Sequence, residues 1–456
     1  MKPRLTCYGG VGEIGGNKFL LEDRDTKVML DFGTGFSDGT DFFDGGIQPR
    51  GVNGAGDLFE FGLLPQIPGL YSEKALQNTA LKHTSPEVDA VVLSHYHWDH
   101  MGRIEHVDPD IPVYCGETTS LIHEAGSESS SSPLDGHEIR TFRTGSRFTI
   151  GSMEFVPVHV DHSIPGAYGF IIHTSEGTLA YTGDFRFHGR AGSLTGDFVQ
   201  AASASKPDHL LTEGTRVAPG QRGDNTSENL VLDETRRMVK SSRNLVLSTF
   251  RGNDVDRVNT FCDAAGACGR RLVVSMKTAL LLEKLRDDKK LRVPRIGKDV
   301  DVYLRRKRSG RLDDRDYYPW ERQFIKDGVS AQDVRRKQAK TFLHLEIWNF
   351  PELIDIRPDA GGTYIHAATE AFNEEGEREE SVVRNWIEHM GFRYYQIHAS
   401  GHAPMKEVES LVAEIRAKRV VPIHTEHPEL FREFGKRGSW KLEAPQKGVP
   451  LRLSSA

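Results

Sequence analysis

Apolar and polar positions alternate along the first third of the chain in short runs broken by glycine. Arg4–Tyr8 and Lys18–Glu22 read as strands on either side of a glycine cluster, and Lys27–Phe32 follows the polar turn Asp23–Thr26. Gly10, Gly12 and Gly15 match G-x-G-x-x-G. A dinucleotide site needs a helix after those glycines, and Phe19-Leu20-Leu21 leads instead into a further strand, so the cluster reads as a hairpin turn. Residues 33–80 are rich in glycine and hold Pro49, Pro65 and Pro68. An excursion of that length is expected to be a functional lid or a disordered loop. The apolar run Val88–Leu93 follows it, and Ser127–Ser132, closed by Pro133, reads as a surface loop. Alternation returns over Phe148–Tyr181, with strands at Phe155–Val158, Tyr168–Ile172 and Thr178–Tyr181. From Thr226 to about 285 the period lengthens. Leu245–Leu247 and Leu272–Val274 read as buried parallel strands, with a helix between Asp254 and Ala265. A strand after Tyr364, an acidic helix from Glu374 to Met390, and a last set of strands and helices complete an α/β pattern.

The 456 residues suffice for two domains or for one domain with a large insertion. With 37% hydrophobic and 27% charged residues the composition is that of a globular enzyme. A net charge of −6 excludes a globally basic nucleic-acid binder and leaves room for a local basic groove. Met1–Leu5 has no apolar signal region, and no stretch reaches membrane-spanning length, so no membrane association is expected. Cys7, Cys115, Cys262 and Cys268 form no C-x-x-C pair and read as buried thiols of a reducing, cytoplasmic setting. One segment departs from the rest. Residues 286–340 carry Arg305-Arg306-Lys307-Arg308, then Tyr317, Tyr318 and Trp320, then Arg335-Arg336-Lys337. That pattern suits phosphate contacts with base stacking, or equally a solvated helical face, since Asp313, Asp314 and Asp316 lie among the cations.

The chemistry concentrates in His95-Tyr96-His97-Trp98-Asp99-His100, which reads H-x-H-x-D-H just after Val88–Leu93. Three imidazoles and a carboxylate are costly to bury unless paired or metal-bound. His95 and His97 share a face if strand geometry continues, and Asp99 and His100 leave the turn in another direction. This suits two metal ions side by side; the mixed N/O donor set suits zinc, with manganese or iron as alternatives. Asp31, His162, Asp184 and His424 each fall at or just past the end of an apolar strand, where the ends of a packed sheet can converge.

The order of these residues resembles the metallo-β-lactamase fold, an αββα sandwich. Gly9–Gly15 and His162-Ser163-Ile164-Pro165 resemble the ribonuclease J family, and Ser400-Gly401-His402-Ala403 with Pro422-Ile423-His424 resembles the late motifs of its β-CASP subfamily. Phe250–Asn253, Asp256-Arg257-Val258 and Val274-Ser275-Met276 are similar to the α/β domain inserted in that subfamily. The resemblance implies a metallo-β-lactamase domain in two parts, 1–214 and 393–456, around a β-CASP insert at 215–392. It implies one zinc on His95, His97 and His162, a second on Asp99, His100 and His424, and Asp184 bridging them. Asp31 would fix the metal loop by hydrogen bonds. Two such ions share a hydroxide that attacks a phosphodiester in line. Glu213 matches the subfamily's first extra motif and His402 the second. His402 is expected to contact the scissile phosphate or leaving oxygen, Glu213 to orient it, and Ser400 to donate to a phosphate oxygen. His159, His188, His398 and His427 are expected in supporting or surface positions.

The activity implied is hydrolysis of RNA to 5′-phosphate and 3′-hydroxyl ends, endonucleolytic or 5′–3′ exonucleolytic. A DNA nuclease of the same subfamily and a lactone or thioester hydrolase are the alternatives. His424 is the pattern of the RNA-acting members, so the implied partner is single-stranded RNA, with DNA and a homo-oligomer left open. Two departures stand out. About thirty residues follow His424, so the C-terminal domain common in the family is not expected. The segment corresponding to the family's 5′-phosphate grip, Ile365–Glu370, offers few donors, so a 5′-end preference is not implied.

Overall fold

The computed structural model describes residues 2–36, 39, 41–43, 46–220, 226–368, 374–435 and 440–453. Among them are 21 strands, numbered in chain order, in three seven-stranded sheets. β1 (Arg4–Gly9), β2 (Lys18–Asp23) and β3 (Thr26–Phe32) form an antiparallel meander. β4 (Ala90–Val92), β5 (Val113–Gly116) and β6 (Ile139–Phe142) extend it in parallel. The second sheet runs β7 (Phe148–Ile150), β8 (Met153–His159), β9 (Tyr168–His173), β10 (Thr178–Tyr181) and β11 (His209–Glu213) in spatial order. The third comprises β12 (Val246–Thr249), β13 (Arg271–Val274), β14 (Val300–Leu304), β15 (Val329–Ser330), β16 (Thr341–His344), β17 (Thr363–His366) and β18 (Arg393–Gln396). All its pairings are parallel. The chain then returns. β19 (Arg419–Ile423) lies parallel to β11 with Leu211 opposite Val421, β20 (Lys441–Leu442) follows it, and β21 (Pro450–Arg452) pairs with β1.

Period-two alternation explains the layers. Leu5, Cys7, Phe19, Leu21, Val28, Leu30, Ala90 and Val92 face a core shared with Phe155, Phe170, Ile172, Tyr181, Leu211 and Val421 of the second sheet. The intervening Leu20, Met29 and Val91 face outward and are covered. The second sheet's outer face packs against helices Gly192–Ser205 and Met405–Ile415. This is a mixed α/β fold with the αββα architecture of the metallo-β-lactamase sandwich. The third sheet is covered on both faces, one by helices Glu228–Ser241, Val255–Ala267 and Met276–Leu285, the other by Glu352–Ile356 and its neighbours. Continuous apolar runs such as Leu245–Leu247 follow from burial on both sides.

Two expectations change. The 33–80 excursion is a structural layer in its described part: Leu58, Leu64, Ile67, Leu70, Tyr71 and Leu76 cover the outer face of the first sheet, around a short helix at Gly56–Glu60. The basic segment is helical only in part, with Arg335 and Arg336 on the short helix Ala331–Arg336, and several of its cations are already paired. Lys307 pairs with Glu321, Arg306 with Asp355, Arg315 with Asp313 and Arg336 with Asp333, while Arg305 binds Asn349 and Tyr317 is buried. The glycine cluster is the β1–β2 turn, as read. No described helix is long and apolar enough to cross a membrane. Of the stretch compared with the 5′-phosphate grip, Thr369 and Glu370 lie outside the described residues.

Candidate metal centre

Parallel strands put their C-terminal ends at one edge, and the candidate residues gather there. Asp31 is near the end of β3, His95 follows β4, His162 follows β8, Asp184 follows β10, Glu213 ends β11 and His424 follows β19. Asp31 and His424 hold φ of 54° and 51°. Non-glycine residues rarely adopt that region, and such strain persists where the surroundings impose a geometry.

His95 Nε2 and His162 Nε2 each lie 3.0 Å from His97 Nδ1. The His162 Nδ1–H donates to the Gly401 carbonyl at 2.6 Å, and the His95 Nδ1–H to Ser94 Oγ at 3.0 Å. Both Nε2 atoms therefore present lone pairs, and His97 Nδ1 has at most one proton to share between them. A shared cation resolves that shortfall. The same logic holds beside them. His424 Nδ1 is engaged by Thr215 Oγ1 at 2.8 Å, and His424 Nε2 faces Asp99 Oδ2 at 2.9 Å. His100 Nδ1–H donates to Asp31 Oδ2 at 2.8 Å, leaving Nε2 3.1 Å from Asp184 Oδ2. That oxygen is 3.7 Å from His95 Nε2, 4.0 Å from His162 Nε2 and 3.6 Å from His424 Nε2, so it stands between the two groups. The donor atoms of His95, His97 and His162, and of Asp99, His100, Asp184 and His424, form two tight clusters. The donor sets fit two cations of the zinc or manganese type.

Electrostatics separates the clusters. Burial, then neighbouring imidazoles, hold His95 and His162 well below the ordinary imidazole value, and burial takes His97 down to about 3. These three imidazoles are neutral. Burial also opposes charge on His100 and His424, but Asp184 and its neighbouring carboxylates outweigh it and raise both.

Asp31 is the acceptor beneath the centre. It takes the Ser94 N–H at 2.7 Å, the Ser94 hydroxyl at 2.8 Å, the His100 imidazole and the Tyr181 hydroxyl. Glu213 accepts the Phe185 N–H at 3.0 Å and the Thr215 N–H at 3.2 Å, and both its oxygens lie 3.1 Å from His402 Nδ1. His402 Nδ1 is 3.8 Å from Asp184 Oδ2 and its side chain keeps 21% exposure. Burial works against a charged His402, but Glu213 and Asp184 push it up to about 9.

The turn carrying His402 is tied to both lobes. Ser400 Oγ accepts the His402 N–H at 3.1 Å, and the Ser400 carbonyl accepts Arg186 Nη1–H at 3.2 Å and His188 Nε2–H at 2.9 Å. Arg186, fully buried, also reaches Asp161 at 3.3 Å and Asp256 of the third-sheet unit at 2.7 Å. His159 stacks on Tyr168 outside the cluster, His398 binds the Ala367 carbonyl, and His427 meets Glu429. Sequence reading missed Asn17, Ser94, Tyr181 and Thr215. Each is an ordinary residue on a strand or turn and is placed only by tertiary pairing.

A model of the β-lactamase superfamily domain matches residues 65–223. Ribonuclease J of Mycobacterium tuberculosis strain H37Rv is 30% identical over 278 residues, 59% of this chain and 44% of that protein. Ribonuclease J of Sinorhizobium meliloti is 26% identical over 470 residues, 98% of this chain and 73% of that protein. Ribonuclease J of Mycolicibacterium smegmatis is 29% identical over 59% of this chain and 44% of its own length. The chain thus spans less than half the length of several curated relatives it matches. The solved structure of a protein of unknown function from Enterococcus faecalis V583 shares the fold throughout, with a TM-score of 0.77, 20% identity, and 99% of this chain and 100% of that one covered. The chain carries a metallo-β-lactamase fold domain with ribonuclease J homologues, and its clusters are those of a metallo-hydrolase.

Proposed function

We propose that the chain is a metal-dependent ribonuclease that hydrolyses single-stranded RNA to 5′-phosphate and 3′-hydroxyl ends. The observation that carries this reading is the Glu213–His402 pair. A hydrolase of small esters needs only the metal ligands, whereas here a second acid–base pair is built 3.8 Å from the bridging carboxylate, on the turn that joins the two lobes. The homology to ribonuclease J supports the same substrate class, and residues 215–392 are assigned as the inserted β-CASP domain.

His95, His97 and His162 would hold one cation and Asp99, His100 and His424 the other, with Asp184 between them. Two divalent cations bound there, zinc with manganese as the alternative, would supply the nucleophilic water at neutral pH and offset the charge of the phosphodiester. The chain's own residues do the rest. Asp31 fixes the His100 ring through its Nδ1–H. Glu213 holds the His402 Nδ1–H, which leaves Nε2 to donate to the scissile phosphate or leaving oxygen. Ser400, whose oxygen accepts the His402 N–H, still has its own proton to give to a phosphate oxygen.

Cleavage of end-labelled single-stranded RNA and matched DNA with zinc or manganese tests the reading. Wild type is expected to cut RNA, and His100→Ala and His402→Ala to lose the activity. Turnover of a lactone or thioester with neither nucleic acid cut would overturn it, and cleavage of DNA alone would move it to the DNA branch.

A further inference from the structure

The glycine turn between β1 and β2 delivers one more side chain to the centre. Asn17 is 0% exposed. Its N–H donates to the Asp99 carbonyl at 3.0 Å, and its own carbonyl accepts the Gly33 N–H at 2.9 Å. The main chain of Asn17 is therefore fixed between the loops that carry Asp31 and Asp99. Its carboxamide has one end 3.0 Å from His100 Nε2. The other end, assigned as Oδ1, is buried without a hydrogen-bond partner among the described residues. It rests against Gly10, where a Cβ would come within 2.5 Å of it, so the glycine there makes room for the amide.

With its Nδ1–H held by Asp31, His100 can offer a lone pair only at Nε2. That lone pair can serve a cation or an amide N–H, not both. The two ends of a carboxamide exchange by a half-turn, and the hydrogen-bond network decides which atom sits where. Spacing adds a second argument. Asp99 to His424 is 2.9 Å and His100 to Asp184 is 3.1 Å. Donors bound at about 2.0–2.2 Å and separated by roughly 90–110° lie about 2.8–3.6 Å apart. The end of Asn17 nearest His100 lies at that spacing from His100 Nε2.

We propose that Asn17 presents its carboxamide oxygen to the cation held by Asp99, His100, Asp184 and His424, as a neutral fifth protein ligand. A further hard oxygen raises the coordination number and favours manganese, which prefers oxygen-rich octahedral sites, over tetrahedral zinc. Among the described residues no carboxamide is recorded within hydrogen-bond distance of the three-imidazole cluster. Asn17 thereby sets the metal preference of one site and not the other. The inference rests on the metallo-hydrolase reading of the cluster and not on its substrate.

The test is metal binding to the chelator-stripped protein, by competition with a fluorescent chelator, for Mn2+ and Zn2+ separately. Asn17→Ala is expected to weaken the tightest Mn2+ site by about 10–100-fold and Zn2+ by under about tenfold. Asn17→Asp, which keeps the shape and an oxygen, is expected to restore Mn2+ affinity. A folded Asn17→Ala that binds Mn2+ within twofold of wild type overturns the proposal, as does a folded Asn17→Asp that binds no better than Asn17→Ala. Wild type labelled with asparagine carrying 13C at the carboxamide gives a reading independent of variant folding. Electron–nuclear double resonance of the Mn2+-loaded protein should show a 13C coupling, and its absence overturns the ligand role. RNA cleavage measured in parallel separates the two readings. No cleavage by wild type, with the Asn17 effect on Mn2+ intact, overturns the substrate alone.

Discussion

Replacing Asp31 with asparagine removes one charge and almost no volume, beneath the metal centre where four donors converge. The Ser94 N–H and O–H, the His100 Nδ1–H and the Tyr181 hydroxyl all point at this carboxylate. Asparagine offers one acceptor oxygen and adds two N–H groups, so at least one buried donor loses its partner. That costs about 1–3 kcal/mol of folding stability. The effect on metal is larger in information. Loss of a carboxylate that orients a ligating imidazole lowers affinity by about 10–100-fold, or roughly 1.4–2.7 kcal/mol. His100 meets Asp31 directly, while His95 meets it only through Ser94 Oγ at 3.0 Å. The site of Asp99, His100 and His424 should therefore lose most, and the site of His95, His97 and His162 less. Stepwise titration of stripped protein against a competing chelator reads both affinities, and urea unfolding reads stability. Equal loss at the two sites, or affinities within twofold of wild type, would refute the reasoning.

A Cβ at Gly33 would lie 1.8 Å from the Asp99 carbonyl oxygen, a backbone atom that cannot turn away. Gly33→Ala should displace the metal loop, so the purified variant should hold fewer than two ions by elemental analysis, and full loading would contradict the geometry. His344 is buried beneath Phe250 and burial takes it down to about 4. A depressed imidazole favours the neutral folded form, so its stabilisation is present above about 6.5 and lost as pH falls towards 4. About 3 kcal/mol is at stake. The urea midpoint of wild type should fall more steeply from pH 7 to 4 than that of His344→Asn, and parallel slopes would refute the assignment. Burial pushes the Cys7 and Cys115 thiols up to about 12. Native protein at pH 8 should release at most two equivalents of thiol to a disulfide reagent and four in guanidinium. Rapid reaction of a third would show that one of those two strands opens readily.

The ligand set was legible because its members either sit together in six residues or end apolar strands, and both are local signals. Asp31, Asp99, His162, Asp184, Glu213 and His424 all follow that rule. Asn17 does not. Asn17 reaches the centre through Gly33 and Asp99, contacts that a turn asparagine does not announce. The 33–80 excursion misled because Leu58, Leu64, Ile67 and Leu70 follow neither a helical nor a strand period, yet they bury fully against the first sheet. In the third sheet, β12 and β13 were visible as apolar runs. β14 and β16 lie within or beside the charged segment, and their apolar residues Val300, Val302, Phe342 and Leu343 are too few to stand out from it.

The parallel pairing of β11 with β19 also imposes an order in time. The donors of the three-imidazole cluster have all been synthesised by residue 162, but His424 is some two hundred residues beyond Glu213, at the end of β19. At roughly 5–20 residues per second that interval is about 10–40 s of translation. During it the second sheet has an open edge at β11 and the second cluster lacks its last imidazole, while the strands of the third sheet are being synthesised. On the proposed two-cation reading, a nascent chain could take up one cation early and would complete the second site only when the returning strand closes the sandwich.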